Sequence, residues 1–369
     1  MDSKQLNQVR VLFEQVMNLA PSEAKSYLDK NCSDKEVRSE IDFLLDKHRT
    51  ASQLVLKLEP NTRATIEDTP SSFEHYSSSS MPYFTDLLGQ TLNNTYLIEK
   101  QIGQGGMGVV FCGKHLFLGN EVAIKVMPPT IKKSVNDIKR FQREARVGWS
   151  LSHPNIIKVF EFSQTQDGIL FMVMELIKGE NLKSYIKRFA PLPLNRCLEL
   201  LKPLCSALSV AHKRNVLHRD LKPANILISK EDGLEVVKLA DFGIAKLLKS
   251  DDDTSSQSTV LTTEGTIIGS LDYMSPEQLM GYKLAPSSDI YSLGVILYEM
   301  LIGQLPIQGS TPQEILKLKT TYDKQPPPST EFGFLPKSLD EVLQKVLAPL
   351  PQKRYQNVEA LLSAFSACL

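Results

Sequence analysis

His218-Arg219-Asp220-Leu221-Lys222-Pro223-Ala224-Asn225 is the most specific string in the chain. It packs two cations, a carboxylate and an amide into eight residues just ahead of the apolar run Ile226-Leu227-Ile228, so it reads as a dense polar loop that ends at a strand. A solvated turn has no need of that density. Asp220 can accept the proton of a hydroxyl, Lys222 can neutralise charge on a phosphoryl group in transit, and Asn225 can offer an oxygen to Mg2+. Downstream, Asp241-Phe242-Gly243 comes after the apolar run Val236 to Ala240, so a second carboxylate emerges at a strand end beside a glycine. Such an aspartate suits a metal that bridges phosphate oxygens. On its own the tripeptide is common; its spacing from the first string argues against coincidence.

Upstream, Gly103, Gly105 and Gly108 form a G-x-G-x-x-G run in IGQGGMGVV, and glycines let backbone amides approach phosphates without side chains in the way. Alone, the run reads equally as a tight hairpin that binds nothing. The next residues, Val109-Val110-Phe111, are a strand sequence, whereas a Rossmann dinucleotide site needs a helix there. A P-loop would need Gly-Lys and then Ser or Thr, and Gly108 is succeeded by Val109. Seventeen residues after Gly108, Val122-Ala123-Ile124-Lys125 ends an apolar strand on a lysine that either reaches water or meets a fixed anion. Glu144 lies in a helical stretch from Asp137 to about Leu151; it either pairs with Lys125 or is a solvated helical glutamate.

With these residues in order, the chain resembles a Hanks-type (eukaryotic-like) serine/threonine protein kinase of the bacterial branch, over roughly residues 85 to 369. The resemblance implies an α+β, bilobal protein kinase fold: an N-lobe of antiparallel sheet plus one helix over about 93–175, a hinge at 175–179 and a mainly helical C-lobe over 180–369, with the ligand cleft between the lobes. It implies transfer of the γ-phosphate of ATP to Ser/Thr hydroxyls of proteins, with Asp220 as catalytic base, Lys222 as its cationic neighbour, and Asn225 and Asp241 as ligands of Mg2+, with Mn2+ as an alternative. Ile102, Gly103, Gly105, Gly108, Val110, Ala123, Lys125, Glu144, Glu175, Ile177 and Leu227 are the implied nucleotide-binding residues, with Met174 as gatekeeper. Glu277 would pair with Arg354, and Asp289 would brace the catalytic loop. Ser270 stands where a threonine is commoner. His218 and His153 are expected to be structural. Two rival functions are a pseudokinase scaffold, opposed by the presence of Lys125, Asp220, Asn225 and Asp241, and a small-molecule kinase of aminoglycoside type, opposed by the Gly269 to Glu277 segment and Asp289.

Between Asp241 and Glu277 lie many hydroxyls, and a phosphate on Thr262 or Thr263 could bind Arg219 and Lys246 through charge-assisted hydrogen bonds. The resemblance therefore suggests control by autophosphorylation; the bland alternative is a polar loop.

Composition sets the outer bounds. Among 369 residues, 42 Lys plus Arg balance 42 Asp plus Glu, so no bulk field draws the chain to nucleic acid or to an anionic membrane. Five scattered cysteines without a CxxC pair indicate neither a disulfide framework nor a zinc site, which points to a reducing, cytoplasmic location. MDSKQLNQVR lacks the apolar core of a signal peptide, and no stretch of 18 apolar residues occurs. Residues 1–50 carry apolar positions at helical spacing (Leu6, Val9, Leu12, Phe13, Val16; Ala24, Leu28; Val37, Ile41, Leu44, Leu45), which predicts three short helices, with Pro21-Ser22 and Ser33-Asp34 supplying side-chain oxygens at helix starts. Residues 51–84, with three prolines and a serine cluster, read as a linker. The expected partners are ATP and protein substrates, and a homodimer through the N-lobe or the N-terminal helices.

Overall fold

The computed structural model describes residues 19–32, 34–39, 86–105, 108–127, 151–231, 233–242 and 271–369, with single positions at 5, 8, 12, 15, 16, 41, 42, 45 and 84. The expected linker, apart from Phe84, and the expected helix from Asp137, apart from Leu151, lie outside them. The chain divides into two compact units.

In the N-terminal module, helix α1 (Pro21–Asn31) places Pro21 at its first turn, where a missing N–H costs nothing. Its start is closed by the Glu23 carboxylate, which accepts the Ala20 N–H at 3.2 Å, and not by Ser22 as the sequence suggested. Ser22 already lies inside the helix. Asp34 does act as an opening cap: its Oδ1 accepts the N–H groups of Glu36 and Val37 at 2.9 and 3.3 Å. Leu12 and Val16, Ala24 and Leu28, and Val37, Ile41 and Leu45 repeat every four residues and bury together as one cluster.

The first unit also holds a six-stranded sheet in the order β1-β2-β3-β4-β6-β5: β1 (Thr91–Leu92), β2 (Tyr96–Gly105), β3 (Gly108–His115), β4 (Glu121–Val126), β5 (Val159–Gln164) and β6 (Leu170–Glu175). The pairs from β1 to β4 and from β4 to β6 are antiparallel. One face of β3, β4 and β6 presents Val109 and Phe111, then Val122, Ile124 and Val126, then Phe171 and Val173 to a core shared with Ile98 and Leu92. By the two-residue period, the other face carries Val110, Ala123, Lys125, Met172 and Met174. The register aligns Val110 with Lys125, Lys125 with Met172, and Ala123 with Met174. A slip of one residue would exchange the two faces, so the hydrophobic core fixes where Lys125 points.

In the second unit the helices are α2 (Leu182–Phe189), α3 (Leu194–Lys213), α4 (Pro276–Leu279), α5 (Pro286–Ile302), α6 (Pro312–Thr320), α7 (Pro328–Glu331), α8 (Ser338–Val346) and α9 (Val358–Ser366). α5 is apolar nearly all round, which is the signature of a central buried helix, and it is buried from Ser287 to Ile302 apart from Glu299. α3 contributes Leu200, Leu204, Ala207, Leu208 and Ala211 to the same core. The helix runs through Pro203, whose cost in backbone hydrogen bonding is offset by burial on both sides.

A three-stranded sheet, β7 (Gly179–Asn181), β8 (Ile226–Glu231) and β9 (Leu234–Leu239), stands beside these helices. Residues 151–159 group with this unit. The Asn155 amide group donates to the Val237 carbonyl at 2.8 Å, and the Ile157 N–H to that of Leu239 at 3.0 Å. Among the described residues no helix is long and apolar enough to cross a membrane.

Candidate active site

The hairpin β8–β9 brings the two carboxylate-bearing strings together. Ile226 pairs with Leu239, and the Ala240 N–H donates to the Asn225 carbonyl at 2.8 Å, so the end of the first string lies beside the start of the second. Around Asp220 the side chains converge. Lys222 Nζ donates to Asp220 Oδ2 at 2.7 Å, while Asn225 Nδ2 donates to the Asp220 carbonyl at 2.9 Å and to Oδ2 at 3.3 Å. Asn225 is buried in a 3-10 turn, Pro223–Asn225, and both of these donor contacts fix Asp220.

Two non-glycine residues here adopt left-handed backbone, Arg219 with φ +65° and Asp241 with φ +49°. Such a conformation costs on the order of 1 kcal/mol or more and persists only where the surroundings enforce it. For Arg219 the enforcement is visible. Asp289, in the first turn of α5, accepts the Arg219 N–H on Oδ1 at 2.9 Å and the His218 N–H on Oδ2 at 2.8 Å. His212 Nε2 completes the shell at 2.8 Å from Oδ2. Burial works to raise the Asp289 carboxyl, but the His212 hydrogen bond, the two histidines' charges and the Arg219 amide outweigh it and hold the group below the usual carboxylate range.

His218 is fully buried, and burial pushes its imidazole below the ordinary histidine value. Its Nε2 meets the Ala240 carbonyl at 2.9 Å, so that nitrogen carries the proton, and the ring lies 4.7 Å from Phe242. The ring therefore joins the two strings and is not placed to touch a substrate.

In the first unit, Gly105 pairs with Gly108 where β2 turns into β3, and Gly103 pairs with Val110. A Cβ at Gly108, which has φ +135°, would lie 2.1 Å from the Val126 carbonyl oxygen. This glycine is demanded by the strand behind it as well as by any phosphate in front. Lys125 is 6% exposed, so it is not the exposed strand-end lysine of the bland alternative. Ala123 and Met174 are buried, Val110 and Glu175 half-buried, and Ile102 is exposed. Ile177 and Leu227, in the second unit, are half-buried. Glu144, Lys246, Thr262, Thr263 and Ser270 lie outside the described residues.

Residues 96–366 match the family described as Protein kinase domain. The chain belongs to that family. Its kinase domain is of the bacterial serine/threonine type. It is similar to the serine/threonine-protein kinase pkn3 of Myxococcus xanthus, 36% identical over 290 residues that make up 78% of this chain and 52% of the relative. It is similar as well to PrkC of Bacillus subtilis, at 36% over 273 residues, 74% of this chain and 40% of that one. Among solved structures, the PknI kinase domain of Mycobacterium tuberculosis superposes with a TM-score of 0.58 at 27% identity, covering 76% of this chain and 98% of that one. The chain thus spans about half or less of the length of these curated relatives.

The kinase domain is braced further from the site. Arg354, fully buried, meets Glu277 through two parallel contacts, Nη1 to Oε1 at 2.7 Å and Nη2 to Oε2 at 2.8 Å. Burial opposes the Glu277 charge, but Arg354 and the Ser288 hydroxyl outweigh it and keep the carboxyl below its ordinary range.

Sequence reasoning missed two residues that hold the catalytic loop. Gln278 Nε2 donates to the Arg219 carbonyl at 2.8 Å, while its Oε1 accepts the Ser275 N–H at 2.9 Å. The S-x-x-Q spacing ahead of α4 is a capping-box signal that could have found it. His212 carries no such signal.

The family implies ATP and a divalent metal. The donor set fits one: an amide and a carboxylate at one end of a hairpin, suited to a cation whose remaining ligands are phosphate oxygens and water. Among the described residues no group of three or more His, Cys, Asp or Glu gathers to hold a metal by protein alone.

Proposed function

We propose that the kinase domain transfers the γ-phosphate of ATP to serine and threonine hydroxyls of protein substrates. The observation that carries this reading is the Asp220, Lys222 and Asn225 cluster, with contacts of 2.7 and 3.3 Å onto one carboxylate oxygen, at the same hairpin end as Asp241. Phosphoryl transfer needs positioning and charge stabilisation more than covalent help from the protein. Asp220, held in one orientation by Asn225, accepts the hydroxyl proton as the phosphoryl group moves. Lys222 remains beside that carboxylate and offsets negative charge on the group in transit.

Asn225 and Asp241 would hold Mg2+, or Mn2+, which when bound neutralises charge on the phosphate oxygens. Lys125 with Glu144 would anchor the α- and β-phosphates. Gly103, Gly105 and Gly108 would cover the phosphates, and Ile102, Val110, Ala123 and Leu227, with the backbone of Glu175 and Ile177, would take the adenine. Autophosphorylation at Thr262 or Thr263, read by Arg219 and Lys246, belongs to the same proposal, as does self-association through the N-lobe or the N-terminal helices. Five cysteines that form no disulfide support a cytoplasmic site of action.

Incubation with ATP-Mg2+ and a generic protein substrate should yield phosphoserine or phosphothreonine, and EDTA should abolish the transfer. Phosphate delivered to an aminoglycoside instead, or nucleotide bound without transfer, overturns the reading.

A further inference from the structure

Lys319, one residue from the end of α6, is fully buried. An ammonium is costly to bury, and lysine is almost never found so unless paired. Yet among the described residues no carboxylate forms an ion pair with it. Its Nζ donates instead to two backbone carbonyls, those of Asp272 at 2.6 Å and Met274 at 2.7 Å, and stands 5.1 Å from the centre of the Tyr291 ring. Ile315, one helical turn back on the same face, packs on Leu271 and Met274. A leucine or methionine at 319 would fill that face without burying a charge. The ammonium supplies what an apolar side chain cannot, two donors aimed at one short stretch of backbone.

That stretch is held at its other end too. Ser275 caps α4, Glu277 is locked by Arg354, and Gln278 reaches the Arg219 carbonyl, next to Asp220. Tyr273, between the two gripped carbonyls, donates to Glu299 at 2.7 Å. We propose that Lys319 is a positioning residue for the protein substrate: by gripping the Asp272 and Met274 carbonyls it holds the Leu271–Glu277 segment, which Gln278 ties to the Arg219 carbonyl, in register with the catalytic loop. The proposal rests on the kinase reading.

The charged groups around Lys319 are Asp272 and Glu277, which favour the ammonium, and Arg354, which opposes it; Tyr291 packs alongside. Burial dominates and lowers Lys319 to about 7. A neutral amine still donates, but without the charge that roughly doubles such a hydrogen bond. The grip therefore weakens as pH rises through neutrality.

The test uses the full chain with a serine-containing peptide, and the variants Lys319→Met and Lys319→Arg. Lys319→Met should raise the peptide KM about tenfold, the worth of one charge-assisted hydrogen bond, with the ATP KM unchanged. Amide exchange should quicken over residues 271–279 and not elsewhere. From about pH 6 to about pH 8.5 the wild-type peptide KM should rise relative to that of Lys319→Arg, which stays charged. An unchanged peptide KM and unchanged exchange in Lys319→Met overturn the proposal, as do peptide and ATP constants that shift together with melting temperature. Should Lys319→Met not fold, equal pH profiles for wild type and Lys319→Arg overturn it. Amide exchange needs no substrate, so a chain that transfers no phosphate defeats the kinase reading while the grip itself is still decided.

Discussion

Asp289 accepts three donors and holds Arg219 in left-handed backbone, so one carboxylate sets the shape of the loop that carries Asp220. Replacing it by asparagine turns one acceptor oxygen into a donor facing an N–H. Asp289→Asn should therefore lower stability by at least about 2 kcal/mol, the scale of hydrogen bonds to a charged group, and denaturant midpoints check it. Because the folded carboxyl lies below its unfolded value, its contribution is complete above the unfolded pKa and is lost as pH falls through the folded one. The wild type should lose stability below about pH 4, and Asp289→Asn should lose less over the same window. Lys319 has the opposite charge but the same pH sense, in a higher window. Lowered in the fold from 10.5 to about 7, it leaves the unfolded chain binding more protons between those values. Stability should rise with pH across that window in the wild type and less in Lys319→Met.

The strand faces explain why so much of the sheet was readable. Valine, isoleucine and phenylalanine at every second position announce β3, β4 and β6, and the same alternation assigns Val110, Ala123 and Lys125 to the other face. β5 escaped notice because its residues Val159 to Ser163 are all half-buried, which leaves no clean alternation, and β1 and β7 are too short for any period to show. Helix α3 runs on through Pro203, and its apolar stripe continues past the proline. Gly108 was read for phosphate approach or for a tight hairpin; the Val126 carbonyl behind it can be found only in three dimensions. Gly108→Ala should destabilise the β2–β3 hairpin by about 1–3 kcal/mol even with no nucleotide present, and chemical denaturation of the apoprotein checks that.

Contacts between distant parts of the chain were legible only through the family resemblance. Arg354 and Glu277 are 77 residues apart, and no local pattern pairs them. Neither does any pattern near Lys319 disclose that a helical lysine is buried against Asp272 and Met274, 47 and 45 residues away. Composition bounds class and charge balance, but polar long-range partners depend on how helices stack. Removing one member of the buried pair leaves the other charge stranded, so Arg354→Met should cost about 3–5 kcal/mol, measured by thermal or urea unfolding. At the scale of the whole molecule, the role proposed for Asp220 is in a phosphoryl transfer to protein. Transfer of labelled γ-phosphate to a protein substrate, compared between wild type and Asp220→Asn at saturating ATP and Mg2+, tests this most directly. The wild type should yield acid-stable phosphoserine or phosphothreonine, and Asp220→Asn at least about a hundredfold less, with nucleotide affinity retained. No transfer from the wild type, or equal transfer from the variant, would contradict that role.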